Sequence, residues 1–175
     1  MKPRPRLRIW TLLSVLLLVT LIGTAQRQDD QRILRAGASV IDITPLTFPV
    51  SVNGSMTDHS VSRAHDPLQA RCLVLDNGSV QVAIVVSDSC MIPRDILDPA
   101  RDRASRATGI PADNMLMSAT HTHSAVTLGG VFQSEPEEAY REFLKDRLAE
   151  AVVAAASQLV AADINIAPTV ALLEY

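Results

Sequence analysis

Asn114 to Ser118 is a short, mostly apolar run, which predicts a buried strand. Ala119-Thr120-His121-Thr122-His123-Ser124 follows directly, and a small-residue loop then leads to Gly129-Gly130. Ser39-Val40-Ile41-Asp42-Ile43 is β-branched and partly alternating, so a first strand is expected there, with Pro45 ending it. Gly37 sits where a close backbone approach or a bulge is expected. Residues 46–65 show no sustained period and read as a long loop. Ala70 to Asp76 and Ser79 to Asp88 flank Asn77-Gly78, which predicts a hairpin with a type I′ turn. That register sets Cys72 opposite a residue near Ala83. Val82 to Val86 is apolar throughout, as in a strand covered on both faces.

Two helices complete the pattern. Residues 93–109 carry a thin apolar stripe of Ile96, Leu97, Ala100, Ala104 and Ala107, and Asp98-Pro99 offers an N-cap and first helical position. Gly109 closes that helix. Ser134-Glu135-Pro136-Glu137 reads as a capping box. It would open a strongly amphipathic helix to about Val160, with Phe143, Leu144, Leu148, Ala151, Val152 and Ala155 on its apolar face. Residues 163–175 begin like another strand, and the last element reads as cut off. The fold class is α/β, or α+β: a mixed sheet with a hairpin, a βαβ unit and a long amphipathic helix, in an incomplete domain.

Charge changes the picture at the N-terminus only. Lys2, Arg4, Arg6 and Arg8 precede an apolar run from Ile9 to Ile22, and Gly23-Thr24-Ala25 follows. This describes a secretory signal peptide cleaved after Ala25, with an uncleaved N-terminal anchor as the alternative. Residues 26–34 read as a flexible tether and 35–175 as the folded part. Export, secreted or periplasmic, is therefore expected. The formal net charge of −3 gives no reason to expect nucleic acid as a partner. Cys72 and Cys90 lie in or beside apolar runs and read as buried free thiols.

Candidate chemistry centres on the histidines. If the extended conformation continues past Ser118, His121 and His123 project to the same side, as two imidazoles at a strand exit. That placement suits a metal or a proton-transfer site, although an HxH pair supplies at most two of a zinc ion's three or four protein ligands. The competing reading is two polar residues at a strand end. His59 reads as a solvated loop residue. His65 is a candidate because Asp66 could orient its ring, while Asp66-Pro67 is equally an ordinary turn start. Asp88 follows a strand's carboxyl end, where α/β proteins place ligands; its alternative role is to cap a loop or helix.

The stretch MSATHTHSAVTLGG resembles the histidine motif of the neutral/alkaline, non-lysosomal ceramidase family. AGASVIDITP is similar to that family's first strand, HDPLQARCLVLDNG and VQVAIVVSDSCMIP to its hairpin, and TGIPADNMLMSATHTHS to its helix-to-strand passage. The resemblance covers about Ala36 to Val160. It implies a zinc-dependent amidase that cleaves ceramide to sphingosine and a fatty acid, with Zn2+ as cofactor and a ceramide-like lipid, met at a membrane surface, as substrate. It further implies that His121 is a zinc ligand and that His123 lies beside the metal, in contact with substrate or with the groups around the ion. The family's remaining ligands and catalytic serine lie further along its much longer chains, so this chain is expected to be an N-terminal portion, inactive alone. Where the family continues with Gly or Pro after HTHS, this sequence has Ala125-Val126-Thr127-Leu128. Two other functions fit the residues: a non-catalytic exported binding module, and a metallohydrolase acting on another acyl amide or ester.

Overall fold

The computed structural model describes residues 33–131 and 133–165; the expected signal segment, most of the expected tether and the end of the last expected strand lie outside them. Among the described residues seven strands form in chain order: β1 (Arg35–Asp42), β2 (Val50–Ser51), β3 (Ser60–Val61), β4 (Gln69–Asp76), β5 (Gln81–Ser87), β6 (Met115–Ala119) and β7 (Val160–Ala161). Two helices, α1 (Arg94–Thr108) and α2 (Glu138–Ala156), accompany them. The main sheet has the order β6-β5-β4-β1-β7, and β2 and β3 pair separately. Antiparallel β1, β4 and β5 meet a parallel β5–β6 pair, so β5-α1-β6 is the expected crossover unit and the sheet is mixed.

Burial alternates along the strands as a one-sided sheet requires. Cys72, Val85 and Met117 share a row across β4, β5 and β6 on the buried face, as do Val74, Ala83 and Met115. Helix α2 lies over this face with Leu144, Leu148, Val152 and Ala155, and α1 adds Ile96, Ala100 and Ala104 to the same core. Ser39 Oγ donates to the Ala151 carbonyl at 2.7 Å, and the Tyr140 hydroxyl donates to the Ile43 carbonyl at 2.7 Å. Desolvation is the main reason that the Tyr140 hydroxyl's pKa rises well above its ordinary value. Gly37 is the point of closest approach: a Cβ there would lie 2.1 Å from the Ala155 carbonyl oxygen.

The opposite face is open. Ala38, Leu73, Ile84 and Leu116 stand in one row across four strands, and all four are exposed, Leu116 at 61%. This corrects the expectation that β5 is covered on both faces. It also corrects the expected buried strand after Asn114, because β6 is an edge strand with one buried side.

Other expectations change as well. The hairpin loop has four residues rather than two, because Gly78 alone takes positive φ (83°). The Asp76 carboxylate accepts from the Gly78 N–H, and Asn77 Oδ1 accepts from the Ser79 and Val80 N–H groups. Cys72 therefore pairs with Val85 rather than Ala83. The two-residue slip preserves parity, so Cys72 still shares a face with Ala83. The Gln81 amide and the Gly78 N–H, followed by Arg35, hold the Asp76 carboxyl below its usual range. Helix α1 starts at Arg94, before the expected Asp98 cap, and carries Pro99 inside it. Gly109 ends it with φ 78° and an N–H bonded to the Ser105 carbonyl, as expected.

The capping box does not form. Ser134 Oγ is turned to the Asn53 Oδ1 and the Val131 carbonyl, and α2 begins only at Glu138. Its far end is Ala156, and Val160 belongs to β7, paired with Ala36 of β1. Finally, the long loop of residues 46–65 contains the β2–β3 pair. Both cysteines are buried and free, as expected, and burial pushes the Cys72 thiol up to about 11.

Candidate metal centre

Parallel β5 and β6 end side by side, with the Thr120 N–H donating to the Ser87 carbonyl at 2.9 Å. Their carboxyl ends deliver Asp88 and Cys90 from one strand and His121 and His123 from the other, at the edge where parallel sheets place ligands. The extended conformation does not continue through the motif. His121 adopts φ 62°, a left-handed backbone unusual outside glycine. An extended chain would set alternate residues about 6.7 Å apart. Here the turn brings the two rings edge to face, with centroids 5.0 Å apart and Nε2 atoms 3.4 Å apart.

The protonation pattern follows from the partners. His121 Nδ1 lies 2.7 Å from the Cys90 carbonyl oxygen, which can only accept, so Nδ1 carries the hydrogen. In the neutral ring Nε2 is then the bare nitrogen, aimed at His123. Two nitrogens bound to one tetrahedral ion at about 2.05 Å lie about 3.3 Å apart. The observed 3.4 Å fits that distance, and an N–H held by a carbonyl is the usual support of a metal-binding imidazole. Cys90 lies at the same place, with its Sγ 3.9 Å from His121 Nδ1. One ligand atom each from Cys90, His121 and His123 fall within 4.8 Å of one another, with the thiol buried and both rings exposed. The residues present fit a metal ion.

A second segment shapes this edge. Val52 bridges to Val126, the Asn53 N–H donates to the Ala125 carbonyl at 3.1 Å, and the Thr127 N–H donates to the Ser51 carbonyl at 2.9 Å. Ser51 Oγ adds bonds to Asp58 and Thr127 at 2.6 and 2.9 Å, and Glu137 accepts from the Ser51 N–H. These contacts seat Gly54 against His123, where a Cβ would come within 2.3 Å of the His123 Cβ. Arg141 of α2 ties down the far side of the loop through the Leu128 carbonyl and Asp95. Sequence reasoning missed Asn53, Gly54 and Cys90 as parts of the site. The Asn53-Gly54 dipeptide marks a turn in any chain, and its partner lies about 70 residues away.

The remaining candidates spread around a cavity of about 390 Å³ beside the histidine loop. Phe48, Val50, Val61, Leu68 and Val126 give it an apolar lining, and Thr122 and Ser124 reach it from the motif. Asp88 lines it while accepting from Arg71 at 3.0 Å and from the Gln69 N–H at 3.0 Å. His65 pairs with Asp66 at 3.1 Å on the exposed rim, and His59 is likewise exposed. Neither belongs to the Cys90–His121–His123 cluster.

Together these features define a mixed-sheet α+β chain with a candidate metal centre at the carboxyl ends of its parallel strands, next to an apolar cavity. Among solved structures it is similar to the neutral ceramidase from Pseudomonas aeruginosa, with a TM-score of 0.67 and 20% identity over 74% of this chain. A structure described as a ceramidase complexed with C2 gives the same values. The chain thus shares the fold of part of a neutral ceramidase, and it spans 22% of the length of those chains. No family model matches the sequence, and comparison with curated proteins finds no match.

Proposed function

We propose that this chain is the N-terminal portion of a zinc-dependent amidohydrolase of the neutral ceramidase type, which cleaves the amide of ceramide to sphingosine and a fatty acid. One observation carries the proposal: a bare His121 Nε2 stands 3.4 Å from His123 Nε2 at the strand end, in a chain with a ceramidase fold. His121 is the ligand, held in the required tautomer by the Cys90 carbonyl. A bound zinc ion would lower the pKa of a coordinated water to about 7 and polarise a carbonyl. His123 stands at the exposed side, within reach of a substrate amide, and the neighbouring cavity offers apolar walls to an acyl chain. Asp88 is engaged by Arg71, so its part is to hold the cavity wall.

With two imidazoles and one thiol at the site, we infer little or no amidase activity for this chain alone. The test is a chimera in which residues 33–165 replace the matched part of the Pseudomonas enzyme. The chimera should hydrolyse ceramide, and His121→Ala should lower kcat/KM at least about a thousandfold, on the order of 4 kcal/mol of transition-state stabilisation. An active chimera indifferent to His121→Ala would overturn the assignment. Zinc-dependent amidase activity from the 175-residue chain alone would overturn the inactivity.

A further inference from the structure

We propose that Cys90 supplies a third, thiolate donor, so that Cys90, His121 and His123 together bind a thiophilic divalent cation within this chain. The inference rests on the reading of His121 as a metal ligand and extends it to a thiol and a second imidazole.

Three observations converge. The two Nε2 positions are already at ligand spacing, 3.4 Å apart. A Cys90 ligand atom falls within 4.8 Å of one from each histidine. A sulfur and a nitrogen on one tetrahedral ion, at about 2.3 and 2.05 Å, lie roughly 3.5 Å apart, so closing the site brings the thiol inward from its place beside His121 Nδ1. Cys90 lies in the segment between β5 and α1, and its thiol already contacts the His121 ring at Nδ1, 3.9 Å away. Its backbone carbonyl meanwhile holds the His121 ring, so one residue would both orient one donor and provide another.

The chemistry selects the ion. A thiolate with two imidazoles is a softer set than imidazoles with carboxylates, and favours Zn2+, Cd2+ or Co2+ over Mg2+ or Ca2+. Ligation forms a metal–sulfur bond while the thiol proton leaves to solvent, one proton per chain. Cys72 takes no part, because it faces the core in the row with Val85 and Met117. The donor set is open on the side of the exposed histidine rings, as a site that also admits water or substrate must be.

Cobalt(II) is the probe, because a thiolate ligand gives an intense near-ultraviolet charge-transfer band that imidazoles do not. The full chain titrated with Co2+ should show that band at one ion per chain. Cys90→Ser should abolish it and weaken binding at least about tenfold, while Cys72→Ala should leave it unchanged, with circular dichroism monitoring the fold of each variant. Cobalt bound without the band in the unaltered chain would overturn the thiolate, and if His121→Ala still abolished binding, the histidine reading would stand. A band that survives Cys90→Ser and is lost in Cys72→Ala would assign the wrong thiol and equally overturn the inference. No cobalt bound by the unaltered chain would overturn both readings.

Discussion

Gly54→Ala should lower zinc affinity about a hundredfold and destabilise the fold by about 3 kcal/mol, the sum of a strained backbone and a backbone-level clash. Gly54 has φ 112°, a conformation that an L side chain seldom adopts. The new methyl would meet the Cβ, Cα and Cγ of His123 at 2.3–2.5 Å, and these atoms cannot rotate away as a side-chain tip could. Two escapes exist. The segment 51–54 could retreat, which breaks the Val52–Val126 bridge and the Asn53–Ala125 bond. Otherwise His123 could swing away from His121, which ends the 3.4 Å nitrogen pair. Either route removes the geometry that a shared ion needs. Competition for zinc against a chromophoric chelator measures the first effect and a thermal melt the second. Unchanged affinity and melting would mean that Gly54 does not touch the histidine as described.

Gly37→Ala should cost about 3 kcal/mol without touching the site, at the upper end of what added core volume usually costs. Its φ lies outside the left-handed region, so backbone strain plays no part. The cost is entirely steric. The methyl would lie 2.1 Å from the Ala155 carbonyl oxygen and 3.1 Å from backbone atoms of Gln158 and Leu159. The end of α2 must lift from β1, which pulls at the Ser39–Ala151 bond and at the β1–β7 pairing just beyond. The expected reading is a fall in melting temperature of roughly 10 °C. Ala38→Ser, one residue along on the open face, should stay within about 0.5 kcal/mol of the original. Equal effects at both positions would contradict the placement of α2.

The contrast between these glycines shows what was legible in the sequence. Gly37 stands in a strand just ahead of a β-branched run, so a close approach could be expected from the strand alone, and the structure supplies the partner. The β4–β5 hairpin was legible too, even though the Asn77-Gly78 loop came out two residues longer, but its open face was not, because Val82 to Val86 is apolar on both sides. Local signals failed wherever a distant partner claimed the same atoms. Ser134 had the spacing of a cap, but its hydroxyl went to Asn53. Glu137 could have served the helix, but its carboxylate accepts from Ser51. At the site, the histidine pair stood out, but the left-handed turn at His121 that brings the rings together has no marker in Thr-His-Thr-His. Cys90 read only as a buried thiol, since nothing local says that its carbonyl faces an imidazole 31 residues on.

The open row of Ala38, Leu73, Ile84 and Leu116 has a calorimetric consequence. Apolar surface that is already wet in the folded state adds nothing to the heat-capacity increment when the chain unfolds. A domain of this length with both sheet faces covered would hide that row and release it on melting. This chain should therefore show a smaller increment and a shallower denaturant slope per residue, and a stability curve flatter across temperature, than its length would suggest.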